Sequence, residues 1–170
     1  MEQSNSVNKP SGYSFIAKTL HWGFVAIFAY GIYKQVDTIE QLEDAALLRF
    51  EVIFAAVFLT LLLLRFFYMT RTQSSSLPES TAWWQKLAAK VVHYGIYVSF
   101  GSIAASGILI GVLYSLGVKA GFVIEAIVGL HEISFTLSYY LIALHVLAAI
   151  YHRFLKDGVW SAMVPVWKED

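Results

Sequence analysis

Five histidines, His21, His93, His131, His145 and His152, are the side chains of this sequence best suited to chemistry, and all five fall in or beside long apolar runs. An ionisable residue inside a bilayer is costly and marks function by default. A single buried histidine bonded across helices would explain itself. Five together, in a chain with no Cys and few acids, point to cofactor ligation. Neutral imidazole is a good iron ligand, and a non-covalent haem needs apolar walls around it. With no cysteine, covalent haem attachment, Cys-ligated zinc, iron–sulfur clusters and disulfide scaffolds are excluded.

Spacing refines this. His131 and His145 are 14 residues apart. On one helix that is close to a whole number of turns and about 21 Å of axial rise. The pair can face one side of a helix and serve two porphyrins, one near each membrane surface. His145 and His152 are separated by seven residues, about 10.5 Å. Two porphyrins would crowd there, so at most one of that pair is expected on iron. His21 lies early in the first apolar run and His145 past the middle of the last, so the two can approach one haem from opposite sides. His93, which opens the third run, rivals them for that place. His131 belongs to the opposite surface, where no second histidine is available and Glu51 stands instead.

The elements that must carry these residues are membrane-spanning helices. Hydrophobic types make up 58% of the 170 residues and charged types 14%, against about 25% charged in an ordinary soluble domain. Val91 to Val118 runs 28 residues without Asp, Glu, Lys or Arg, and Ile133 to His152 runs 20. Phe15 to Tyr33 is interrupted only by Lys18. Val52 to Leu64 is uncharged for 13 residues, and its flanks lengthen it if Arg49 and Arg65 snorkel toward opposite interfaces. A span needs roughly 20 mainly apolar residues. The expectation is an all-α, four-helix membrane bundle with helices near 14–34, 45–70, 86–115 and 122–155. Tails fall at 1–13 and 161–170, around one domain over 14–160. The last helix is long enough to tilt, project or break near Gly129. Short interfacial helices are expected near 40–44 and 79–90, with Trp83 and Trp84 as anchors.

Nine of the twelve Lys and Arg residues lie on the side of the two termini and the middle loop, and three on the other. That distribution puts both termini in the cytoplasm. The polar first residues do not read as a cleaved signal. Net charge is zero, which excludes nucleic-acid binding through bulk positive charge. No phosphate-cradling glycine loop is present, and Phe135 breaks any H-E-x-x-H pattern at His131. Gly95, Gly101, Gly107 and Gly111 give the third helix a small-residue face, open to either helix packing or cofactor clearance.

These residues together resemble the bacterial cytochrome b561 family, the four-helix membrane cytochromes that include superoxide oxidase and are similar to hydrogenase cytochrome b subunits. The resemblance is carried by Tyr13-Ser14 with Leu20-His21-Trp22, and by a Leu-rich second helix ending in Arg65. It continues with His93-Tyr94-Gly95-Ile96-Tyr97 and Gly107, then Leu130-His131-Glu132, Leu144-His145, and His152 with Lys156-Asp157. It covers residues 13 to 160. It implies two stacked b haems, with His21 and His145 holding the cytoplasmic one. His131 would hold the outer one against a second-helix histidine, whose place Glu51 takes here. Three outcomes stay open at that outer site: no haem, a haem lacking its sixth ligand, or a haem with Glu51 on iron. The resemblance also implies ubiquinone or another quinone near the cytoplasmic helix ends, where His93, His152 and Arg153 lie.

The function this implies is electron transfer between an outer-side partner and membrane quinone, in the inner membrane of a bacterium. An acidic first outer loop, with Asp37, Glu40, Glu43 and Asp44, suits a basic periplasmic redox protein better than the superoxide anion. Two neighbouring readings are a haem-bearing anchor subunit of a larger respiratory complex and a superoxide oxidase reducing ubiquinone. A third, a small His-based transporter or metal-binding protein, lacks the inverted repeat and broken helices that carriers use.

Overall fold

The computed structural model describes residues 12–169. Of the tail expected over 1–13, residues 1–11 lie outside the described residues, as does Asp170 at the other end. The described chain is all helical: α1 Phe15–Tyr33, α2 Ala45–Thr72, α3 Trp83–Ser115, α4 Phe122–Leu155 and a short α5 Val159–Met163, with a 3₁₀ turn at Ile39–Glu43. The first four are long and apolar enough to cross a membrane. Their outward faces are clad in large apolar side chains such as Phe67, Val98, Leu147 and Phe154. Water would not tolerate such a surface, whereas hydrocarbon favours it.

Local signals fix the helix ends. The Ser14 hydroxyl accepts from the Ala17 N–H at 3.2 Å to open α1. Asp44 Oδ1 accepts from Ala46 and Leu47 N–H at 2.8 and 3.2 Å to open α2. α3 starts at Trp83, so the stretch expected to lie on the interface near 79–90 is mostly the first turns of a continuous span. α4 passes Gly129 as one unbroken helix, so the break considered there does not occur.

The helices pack in chain order, α1 on α2, α2 on α3 and α3 on α4, whereas α1 and α4 hardly meet along their backbones. The small residues of α3 set the close approaches. A Cβ on Gly111 would collide with Val52, and one on Gly95 would come to 3.1 Å from Leu141 Cδ1. These two glycines serve helix packing. The middle of the bundle is an aromatic core of Phe24, Phe58 and Phe100, with Phe28 and Phe135 against it. Ring centroids there are 4.5 Å apart for Phe28–Phe100 and 4.7 Å for Phe24–Phe58. The core divides the bundle into a terminal end, where α1 starts and α4 finishes, and a far end.

Candidate haem sites

At the terminal end, three helices deliver their histidines to one place. The His21 and His145 ring centroids are 6.3 Å apart with planes at 60°, and those of His93 and His145 are 4.9 Å apart at 82°. An imidazole nitrogen binds a first-row metal at about 2 Å, so two rings in line across one ion have centres about 6 Å apart. The His21–His145 separation fits an iron between them. The His93–His145 separation is too short for the same arrangement. His93 Nδ1 donates to the Ala89 carbonyl at 2.6 Å, the preceding turn of its own helix.

Arg65 completes this cluster. It does not snorkel outward as its place near a helix end suggested. Its Nη1 donates to the Tyr97 hydroxyl at 2.8 Å, and its guanidinium carbon lies 5.3 Å from the Tyr97 ring centre. Its Nη2 lies 2.8 Å from His21 Nδ1. The sequence marked Arg65 only as a helix end and Tyr97 only as part of the His93-Tyr94-Gly95-Ile96-Tyr97 motif. The missed signal was a guanidinium and a phenol placed to meet across an antiparallel helix pair.

The chain after α4 folds back beside the mouth of this end. Lys156 takes a left-handed conformation (φ 55°) and Gly158 another (φ 86°). The turn brings Asp157 Oδ2 to His152 Nδ1 at 2.5 Å. Asp157 thereby holds the Nδ1–H of His152. Arg153 is turned to the C-terminal segment, with Nε donating to the Trp167 carbonyl at 2.7 Å and Nη2 to the Lys168 carbonyl at 3.3 Å. The Trp22 indole donates to the Met163 carbonyl at 3.2 Å, and Tyr13 N–H to the Ala162 carbonyl at 3.3 Å. His152 and Arg153 are therefore at the bundle mouth, outside the histidine cluster.

At the far end, His131 Nδ1 is 2.9 Å from the Ser106 hydroxyl. That hydroxyl also lies 2.5 Å from the Ser102 carbonyl of the preceding turn. A hydroxyl has one proton, and a carbonyl can only accept it. Ser106 Oγ therefore accepts from His131 Nδ1–H, and the lone pair of His131 remains on Nε2, the nitrogen a metal would use. The ring lies against Gly107, where an added Cβ would be 3.5 Å from His131 Cε1 and 3.7 Å from Ala55 Cβ. Glu51 is one turn from Ala55 on α2, and its Oε1 is buried without a hydrogen-bond partner. The residues of both ends fit a b-type haem, the terminal end by ring separation and the far end by a prepared imidazole and an orphaned carboxylate oxygen.

Four helices able to span a membrane, with His21 and His145 close together at one end and His131 at the other, suit a membrane cytochrome, and the family comparison agrees. The model of the prokaryotic cytochrome b561 family matches residues 12–166, and the chain belongs to that family. It is a multi-pass membrane protein that transfers electrons through b-type haem. Comparison with curated proteins and with solved structures gave no match.

Proposed function

We propose that this cytochrome holds one b haem between α1 and α4 on His21 and His145, and passes electrons between an outer-side redox partner and quinone at the terminal end. The observation that carries the reading is the 6.3 Å separation of the two imidazole centres. Bound there, a haem held by His21 and His145 would supply a one-electron couple suited to electron transfer and little else. The backbones of α1 and α4, which hardly touch, leave these two histidines facing one another across the bundle. Nine basic residues on the terminal side support a cytoplasmic location for both termini. The family resemblance supports the bacterial inner membrane.

Quinone binds, in this reading, at the mouth of the terminal end. His152, its Nδ1–H held by Asp157, presents its other ring nitrogen for hydrogen bonding to a quinone oxygen. The His93 ring centre lies 4.9 Å from that of His145. Arg153 contributes by holding the C-terminal segment in place. The far face supports a basic protein partner. Asp37, Glu40 and Glu43 are exposed there, and Lys119 is paired with Glu43 at 3.3 Å. That leaves little positive charge to gather superoxide.

The test is a pyridine haemochrome assay with quantified protein on wild type and two variants. His21→Ala and His145→Ala are each expected to abolish the low-spin haem spectrum. Haem content that survives both changes overturns the pairing and moves His93 onto iron. His152→Ala should keep the spectrum and slow quinone reduction.

A further inference from the structure

Arg65 is a cation inside a membrane bundle with no anion beside it. Among the described residues the ion pairs are Lys119–Glu43 and His152–Asp157, and neither involves Arg65. Its contacts are a phenol and an imidazole, both neutral, and its Nε is buried without a partner. A buried charge without a counter-charge costs several kcal/mol. That cost is removed when a bound group brings the missing anion.

The His21 contact sharpens the argument. A guanidinium only donates, so His21 Nδ1 must accept from Arg65 Nη2. A neutral imidazole accepting at Nδ1 carries its proton on Nε2 and has no lone pair left there for a metal. If His21 held an iron through Nε2, its proton would sit on Nδ1 and two donors would face each other. Arg65 must leave His21 when the iron binds. The departing guanidinium needs an acceptor within reach, and a porphyrin between His21 and His145 carries two carboxylates on its rim.

We propose that Arg65 is the binding residue for a haem propionate at the His21–His145 site, exchanging its contact with His21 for a charge-assisted pair with that carboxylate. The proposal rests on the two-histidine reading of this site. Tyr97, bonded to Nη1 at 2.8 Å, holds the guanidinium on the cofactor side through the exchange. Arginine suits the task because its planar fork matches a carboxylate and it stays charged on burial.

The purified holoprotein tests this by haem release to excess apomyoglobin and by redox titration, in wild type, Arg65→Gln and Arg65→Lys. Arg65→Gln is expected to release haem about tenfold faster, as a partly buried ion pair would give. It should also lower the midpoint potential, because a nearby cation favours the ferrous state. Arg65→Lys should recover part of both. Exchange of the native haem for its dimethyl ester supplies the second arm. Wild type should release the ester about tenfold faster than the parent haem, while Arg65→Gln should release the two at similar rates. Equal release of ester and parent haem from wild type overturns the proposal, whatever the variants do. Loss of bound phospholipid in Arg65→Gln with unchanged haem release also overturns it, by assigning the anion to a lipid phosphate. A wild-type low-spin spectrum in His145→Ala is a different result, and defeats the two-histidine reading beneath it.

Discussion

In the reading proposed here, the imidazole of His131 and the carboxylate of Glu51 decide whether the chain carries a second haem. His131 is held by Ser106 in the tautomer that leaves Nε2 for a metal, and the second helix offers Glu51, whose Oε1 is buried without a partner. A carboxylate is a harder ligand than imidazole and favours ferric iron. Glu51→His is expected to add low-spin haem at the far end, read as a rise in the haem-to-protein ratio and in the low-spin absorbance. An unchanged ratio with an unchanged spin state counts against a haem position at Glu51. Ser106→Ala removes the acceptor for His131 Nδ1–H. A loss of about 0.6 to 1.7 kcal/mol is expected from a hydrogen bond between membrane helices, measurable as a lower unfolding midpoint in detergent. Of these residues, the histidines and Glu51 were legible from type and position. Ser106 was not, because its role depends on which residue of α4 its hydroxyl meets.

At the level of helices, the small-residue face of α3 divides by position. Gly111 abuts Val52, a stiff β-branched side chain, whereas Gly95 abuts the flexible end of Leu141, and Gly101 has only Leu62 Cδ2 at 3.9 Å. Alanine gains up to about 1 kcal/mol of helix propensity over glycine, and overpacking costs about 1–3 kcal/mol. Gly111→Ala should therefore destabilise, Gly101→Ala should be neutral or stabilising, and Gly95→Ala should fall between. Thermal unfolding of the three variants checks the order, and a Gly101→Ala penalty larger than that of Gly111→Ala contradicts the packing account. The sequence displayed the four glycines but left packing and cofactor clearance both open. The answer lay in the antiparallel register of α2 and α3, which sets Val52 against Gly111 and Ala55 against Gly107. Glycine spacing alone does not encode that register.

Across the whole molecule, charge is arranged by end. The terminal end gathers the histidine cluster and Arg65, and beside it folds the chain after α4, tied down through Trp22, Tyr13 and Arg153. Deleting residues 159–170 should leave the spans folded and loosen the start of α1. Faster amide exchange at residues 15–20 would register this, and unchanged exchange would deny that segment a structural role. Both termini are expected in the cytoplasm: a C-terminal fluorescent-protein fusion should glow and the matching alkaline phosphatase fusion should be inactive. The reverse result inverts the electron path proposed here.

The sequence by itself determined the class of fold, because hydrocarbon leaves a chain this apolar little choice except helices that satisfy their own backbone. It also determined the axial spacing of histidines that share a helix, since the rise is fixed at about 1.5 Å per residue. Only the tertiary structure decided which side chains meet across helices: His93 with His145, Arg65 with Tyr97 and His21, His131 with Ser106. Those meetings depend on each helix's rotation about its axis and on the register with its neighbour. Both are fixed by packing between segments far apart in the chain, and no local pattern records them.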